Sequence, residues 1–147
     1  MVYRPKQIIA VVQKDATGCG IACVAALASS TYSEVKKIAM ELGISVTDSR
    51  LWSDASDIRT LLKHFRIQAD QQERQFQSWN TLPQLALLAT KWHRKDNRAF
   101  WHWVIYWQSP NGPVVLDSNH SLQNNVRKDF GRIKPRWFIS IGPKKSC

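Results

Sequence analysis

Cys19 closes the segment Gln13-Lys14-Asp15-Ala16-Thr17-Gly18-Cys19-Gly20, a polar loop that leads into the small, apolar residues 21–28. A thiol at a helix start lies where unpaired N–H groups and the positive end of the helix dipole favour negative charge. The thiolate is the nucleophilic form of cysteine, so the placement favours reactivity. Gln13, six residues upstream, carries a carboxamide that can donate on the same approach. His102 stands far downstream in the aromatic run Phe100-Trp101-His102-Trp103-Val104-Ile105, and Asp117 ends Val114-Val115-Leu116-Asp117. A base that takes the thiol proton, an acid that orients the base and an amide that receives an oxyanion make up a cysteine hydrolase. His120, three residues past Asp117, is the rival base; His64 and His93 fall on a helix edge and in a basic stretch. Cys23, one helical turn beyond Cys19, reads as a packing residue, and Asp15 as a structural residue that turns the loop.

The elements that must bring these residues together differ between the two halves of the chain. Residues 8–12 read as a short strand or an extended entry, and residues 20–28 as a buried, alanine-rich helix. Thr31-Tyr32-Ser33-Glu34 has capping-box spacing and Gly43 marks a helix stop, with Val35, Ile38, Ala39 and Leu42 on one face. Residues 53–65 form a third helix, with Ile58, Leu61, Leu62 and Phe65 inward and Asp54 or Ser56 as its cap. The period then shifts. Residues 67–69 suit a short strand, residues 84–90 suit a helix or a strand, and 100–107, 113–117 and 137–141 suit strands. Helices first and an antiparallel sheet afterwards make an α+β domain over residues 1–147. The tryptophans at 101, 103 and 107 alternate with other residues, as a row lining a core or a partner surface would.

The turn Gln108-Ser109-Pro110-Asn111-Gly112 links two of those strands. A four-residue loop over 108–111 pairs Trp107 with Gly112 and sets His102 directly opposite Asp117. Opposed side chains on one sheet face have Cβ atoms about 4.5–5.5 Å apart, within reach of an imidazole–carboxylate hydrogen bond.

With 147 residues, 44% hydrophobic and 22% charged, the composition is that of an ordinary globular domain. No apolar run is long enough to span a bilayer and no secretory signal is evident, so the expected location is cytoplasmic, with signal-less secretion open. Three cysteines, one of them the terminal Cys147, do not build a disulfide scaffold. Without a CxxC pair or clustered histidines, no metal site and no cofactor are expected. Nine of the ten excess positive charges lie in residues 91–98 and 121–147. Such runs are ordinarily solubilising; they also fit a basic module for nucleic acid or acidic protein, a non-enzymatic alternative less favoured than a peptide substrate. Oligomeric state is not legible.

The Gln-x5-Cys-Gly opening, the alanine-rich helix with a second cysteine and the closing His and Asp strands resemble the bacteriocin-processing peptidases. Leu42-Gly43 and Leu82-Pro83 are similar to that family as well. It is papain-like and cleaves after a double-glycine leader, commonly as the N-terminal domain of an ABC exporter. The resemblance covers roughly residues 7–120. It implies helices packed on an antiparallel sheet, Cys19 as nucleophile, His102 as base, Asp117 as orienting acid, Gln13 at the oxyanion, and a peptide or isopeptide amide as substrate. Ser118 stands where a proline commonly follows the aspartate. No GxxxxGK[ST] loop or membrane span occurs, which implies a free-standing domain. Related papain-like domains deamidate glutamine side chains with the same chemistry, the second enzymatic alternative.

Overall fold

A computed structural model describes residues 7–48, 51 and 54–142. Within them three helices come first: α1 (Cys19–Leu27), α2 (Tyr32–Glu41) and α3 (Ser56–His64). Six strands follow: β1 (Arg74–Gln75), β2 (Leu85–Lys95), β3 (Arg98–Ser109), β4 (Gly112–Leu116), β5 (Val126–Arg127) and β6 (Pro135–Ser140). They form one antiparallel sheet in the order β1-β6-β2-β3-β4-β5. The fold is α+β, with the helices on one face of the sheet.

All nine residues of α1 are buried, so it has no solvent stripe. Its glycine, alanines and cysteines let it lie close to the sheet; a side chain at Gly20 would touch the Trp103 ring. The α2 helix starts as its sequence requires, with Thr31 Oγ1 accepting from the Glu34 N–H at 3.1 Å. Leu42 is exposed instead of facing inward, because it already lies past the helix end, where the chain turns at Gly43 (φ +79°). The start of α3 falls at Ser56, three residues later than expected, with Asp54 Oδ1 accepting from the Ser56 N–H at 2.7 Å. Ser53 lies outside the described residues, as do Pro143 and Cys147.

The 84–90 segment resolves as strand. The first six residues of β2 are buried on both faces, which explains a run with no periodicity. Leu85, Leu87 and Ala89 join Trp101, Trp103, Ile105 and Trp107 of β3 in the core beneath the helices. Trp103 is fully buried and its Nε1–H donates to the Leu51 carbonyl at 3.1 Å. Ala86, Leu88, Val104 and Tyr106 form a smaller cluster on the other face, covered by Phe76, Trp79 and Phe130. Residues 8–12 are irregular, and 67–69 contribute only a bridge between Ala69 and Ile141.

The β3–β4 connection corrects the expected register. Ser109 pairs with Gly112 and Trp107 with Val114, so the loop is Pro110-Asn111, two residues and not four. Pairing ends at Ile105 with Leu116. One further step would put Asp117 opposite Val104, two positions from His102. The turn residues closed a tighter hairpin than their number implied, because Ser109 and Gly112 are themselves the last rung.

Candidate active site

The slipped register still brings His102 and Asp117 together, diagonally. Residues two apart on a strand share a face, and long side chains reach diagonal neighbours on the adjacent strand. Nε2 of His102 lies 2.7 Å from Asp117 Oδ1. On the other flank Val115 pairs with Arg127 of β5, and Arg127 reaches back along the opposite diagonal, donating from NH1 to Asp117 Oδ2 at 3.0 Å. Asp117, 1% exposed, thus receives one cation-forming group on each oxygen; the Asn119 N–H adds a bond to Oδ1 at 3.1 Å. Asn125 frames the backbone, donating from Nδ2 to the Asp117 carbonyl at 2.7 Å and accepting its N–H at 2.9 Å.

These contacts set the charges. Burial disfavours the Asp117 carboxylate, but His102, Asn119 and Arg127 outweigh it and hold the group down to about 2. Burial likewise opposes the imidazolium of His102, yet the hydrogen bond to Asp117 and the neighbouring Cys19 side chain outweigh it and lift the group to about 9. With Nε2 committed to Asp117, Nδ1 is the ring nitrogen left for sulfur. Cys19 opens α1 and is 3% exposed. Cys23, a turn further in, has its thiol pushed up by burial and then by the neighbouring Cys19 and Asp117.

Gln13 is brought to the same locus by Ser118. The Gln13 N–H donates to the Ser118 carbonyl at 2.9 Å, and the Ser118 hydroxyl donates to Gln13 Oε1 at 2.7 Å. Nε2 of Gln13 donates to the carbonyls of Asp15 (2.9 Å) and Ala16 (3.2 Å). Two carbonyl acceptors on one side fix which end of the amide is nitrogen. Both amide hydrogens are therefore engaged by the loop.

That loop is pinned from α2 and from residue 46. Tyr32 Oη donates to Asp15 Oδ2 at 2.7 Å, Lys36 Nζ lies 3.1 Å from the same oxygen, and Thr17 Oγ1 donates to the Val46 carbonyl. The Tyr32 hydrogen bond, then Lys36, lower the Asp15 carboxyl below its usual value. Asp15 is structural, as expected. His120, His64 and His93 are all exposed, His64 edge-on to Phe65 and His93 stacked on Phe100.

Arg127 and Ser118 carry the functional contacts that sequence reasoning missed. Arg127 stands in a basic run that reads as solvated surface. Ser118, at the position where the resembled family commonly has proline, supplies the hydroxyl that ties Gln13 down. Among the described residues no group of three or more His, Cys, Asp or Glu side chains could hold a metal ion, and no helix is long and apolar enough to cross a membrane.

No protein-family model and no curated protein sequence matches the chain. Among solved structures it is similar to the crystal structure of a double glycine motif protease from an AMS/PCAT transporter in complex with the leader peptide. The TM-score is 0.61 at 14% identity, over 95% of this chain and 94% of that one. At that identity the likeness is one of fold.

Proposed function

We propose that the protein is a papain-like, cysteine-dependent hydrolase that cleaves a peptide or isopeptide amide through an acyl-enzyme on Cys19, with residues 1–147 forming one such domain. The observation that carries this reading is His102, hydrogen-bonded by Nε2 to buried Asp117, with the Cys19 side chain near enough to help raise the imidazole. A fold shared with a peptidase, itself in complex with a leader peptide, supports a peptide as the substrate class.

Cys19 and His102 form the thiolate–imidazolium pair, and Asp117 keeps the ring oriented and charged. Sulfur attacks the carbonyl carbon and the carbonyl oxygen becomes an oxyanion. The Cys19 backbone N–H, at the first position of α1, is the natural donor to it. Gln13 joins when one of its N–H bonds leaves the Asp15 or Ala16 carbonyl. The imidazolium gives its proton to the leaving amine, the C–N bond breaks and a thioester remains. A water molecule, losing its proton to His102, then releases the acid and restores the thiol.

Iodoacetamide followed by mass spectrometry tests the assignment. Cys19, beside His102, is expected to alkylate, while Cys23, equally buried but with its thiol pushed up by burial, is not. Turnover of double-glycine peptides is expected to fall at least about a thousandfold in Cys19→Ala and in His102→Gln. Full turnover by Cys19→Ala would overturn the reading. A mass gain of about one dalton on a protein target without chain scission would redirect it to glutamine deamidation, in which the same attack falls on a side-chain amide.

A further inference from the structure

The strands that carry His102 do not stop at the body of the sheet. Thr90 pairs with His102, and on its other side with Pro135, the first residue of β6. On the far flank β4 has already ended at the Ile105–Leu116 pair. Beyond His102, therefore, β2 and β3 continue as a two-stranded ribbon with no flanking strand among the described residues, pairing His93 with Phe100, Arg94 with Ala99 and Lys95 with Arg98.

An isolated ribbon is marginal in water unless something holds it. Here a bulge at Lys91 (φ +52°) sets its angle, and Asp96 and Asn97, both at positive φ, close it as a two-residue turn. The Arg136 guanidinium lies 3.9 Å from the Trp92 ring centroid at the base, and that of Arg98 lies 5.8 Å from the ring of Phe100. The ribbon is built, and its charge is one-sided: Lys91, Arg94, Lys95 and Arg98 against Asp96 alone. All five are exposed, and no ion pair among the described residues includes Lys91, Arg94 or Lys95.

The pleat gives Lys95 and Arg98 a direction, while Arg94, paired with Ala99, lies on the other face of the ribbon. Arg98, Phe100 and His102 succeed one another at two-residue steps on one face of β3, and Lys95 stands across from Arg98. Four residues of strand separate Arg98 from His102, about 13 Å at strand rise, and an extended peptide covers the same span in about four residues. Resting on the hydrolase reading above, we infer that the 91–100 ribbon is a docking arm for an acidic stretch of the polypeptide substrate, lying about four to six residues from the bond cut at Cys19.

The test measures binding of a fluorescein-labelled twelve-residue peptide with three glutamates placed four to six residues from a Gly-Gly pair. The protein is the Cys19→Ala chain, so that the peptide is not consumed, at about 0.1 M salt, where exposed charges still interact over about 10 Å. Reversal of Lys91, Arg94 and Lys95 to Glu is expected to weaken binding at least tenfold, and their replacement by Gln by a smaller factor. Reversal of Lys37, Lys63 and Lys128, the same change in net charge elsewhere, is expected to leave affinity within about threefold. Equal losses in the two triple variants, no measurable binding, or equal affinity for a peptide with glutamines in place of the glutamates would each overturn the proposal. So would arm-dependent binding of a twelve-nucleotide DNA single strand tighter than that of the peptide. Failure of Cys19 to alkylate in the unaltered protein, with arm-dependent peptide binding intact, would count against the hydrolase and not against the arm.

Discussion

The buried carboxylate of Asp117 is kept ionised by cations on both sides, and this makes Arg127 a positioning residue for the proposed triad. Its side chain is 17% exposed and is shared with Asp129 at 2.7 Å, a fork that holds the guanidinium in place. Arg127→Gln leaves Oδ2 of Asp117 buried without its charge partner, and unfolding free energy is expected to fall by about 1–3 kcal/mol in denaturant titrations. The same change raises the carboxyl from about 2, so the acid limb of Cys19 alkylation against pH is expected to move to higher pH. Arg127→Lys, which keeps the charge and loses the fork, should restore the limb in part. An unchanged limb in Arg127→Gln would reduce the residue to a surface cation. The contact was not legible in sequence because Arg127 lies in a run of basic residues, and it is selected by one pairing, Val115 with Arg127, in a two-residue strand.

The loop and the start of α1 depend on a close fit between Gly18 and Tyr32. A Cβ at Gly18 would fall onto the Tyr32 hydroxyl, whose ring end is held by its bond to Asp15. Gly18→Ala is expected to lower stability by about 1–3 kcal/mol and to slow Cys19 alkylation, because the loop must shift. Combining it with Tyr32→Phe, which removes the colliding oxygen, should recover part of the loss; thermal melts of the three variants check this, and a neutral Gly18→Ala would refute it. The capping box of α2 was readable from Thr31 and Glu34, a local signal. The ends of α1 and α3, expected at about residue 28 and at Phe65, fall one residue earlier, at Leu27 and His64, with no glycine to mark them. Ser29 and Arg66 take positive φ, and the Ser30 and Ile67 N–H groups bond back to Ala25 and Leu62, the same closure that Gly43 gives α2. Only one of the three uses the residue that announces it. The hairpin register failed for a similar reason: turn chemistry located the reversal, while the choice between a two-residue and a four-residue loop depended on which rung the flanking Ser109 and Gly112 could form.

Across the whole molecule the site couples folding to pH. The folded imidazole of His102, near 9, lies above the ordinary value of 6.5, so its contribution is fully present below about pH 6.5 and is lost as pH rises through about 9. Asp117 acts in the opposite sense: its depressed carboxyl contributes above about pH 4, and that contribution is lost as pH falls through about 2. Between pH 6.5 and 9.5 the unaltered protein is expected to lose on the order of 2 kcal/mol that His102→Gln does not lose. Paired urea titrations of the two proteins measure the difference, and parallel curves would show that the imidazolium does not stabilise the fold.

Hydrophobic period and end signals were enough to give helices followed by an antiparallel sheet, the row of tryptophans beneath the helices and the inward setting of Cys23, because each depends on neighbours within a few residues. Cys19, Gln13, His102 and Asp117 could be singled out by residue type and by the loop or strand end each occupied. Their meeting, and the identity of Arg127 and Ser118 as the groups that hold Asp117 and Gln13, came from contacts across strands that share no local pattern. Ser118 meets Gln13 across 105 positions of chain, and Asp117 receives His102 and Arg127 along two diagonals fixed by strand register. A pairing of that kind is set by where the sheet as a whole comes to rest, a condition that no short stretch of residues contains.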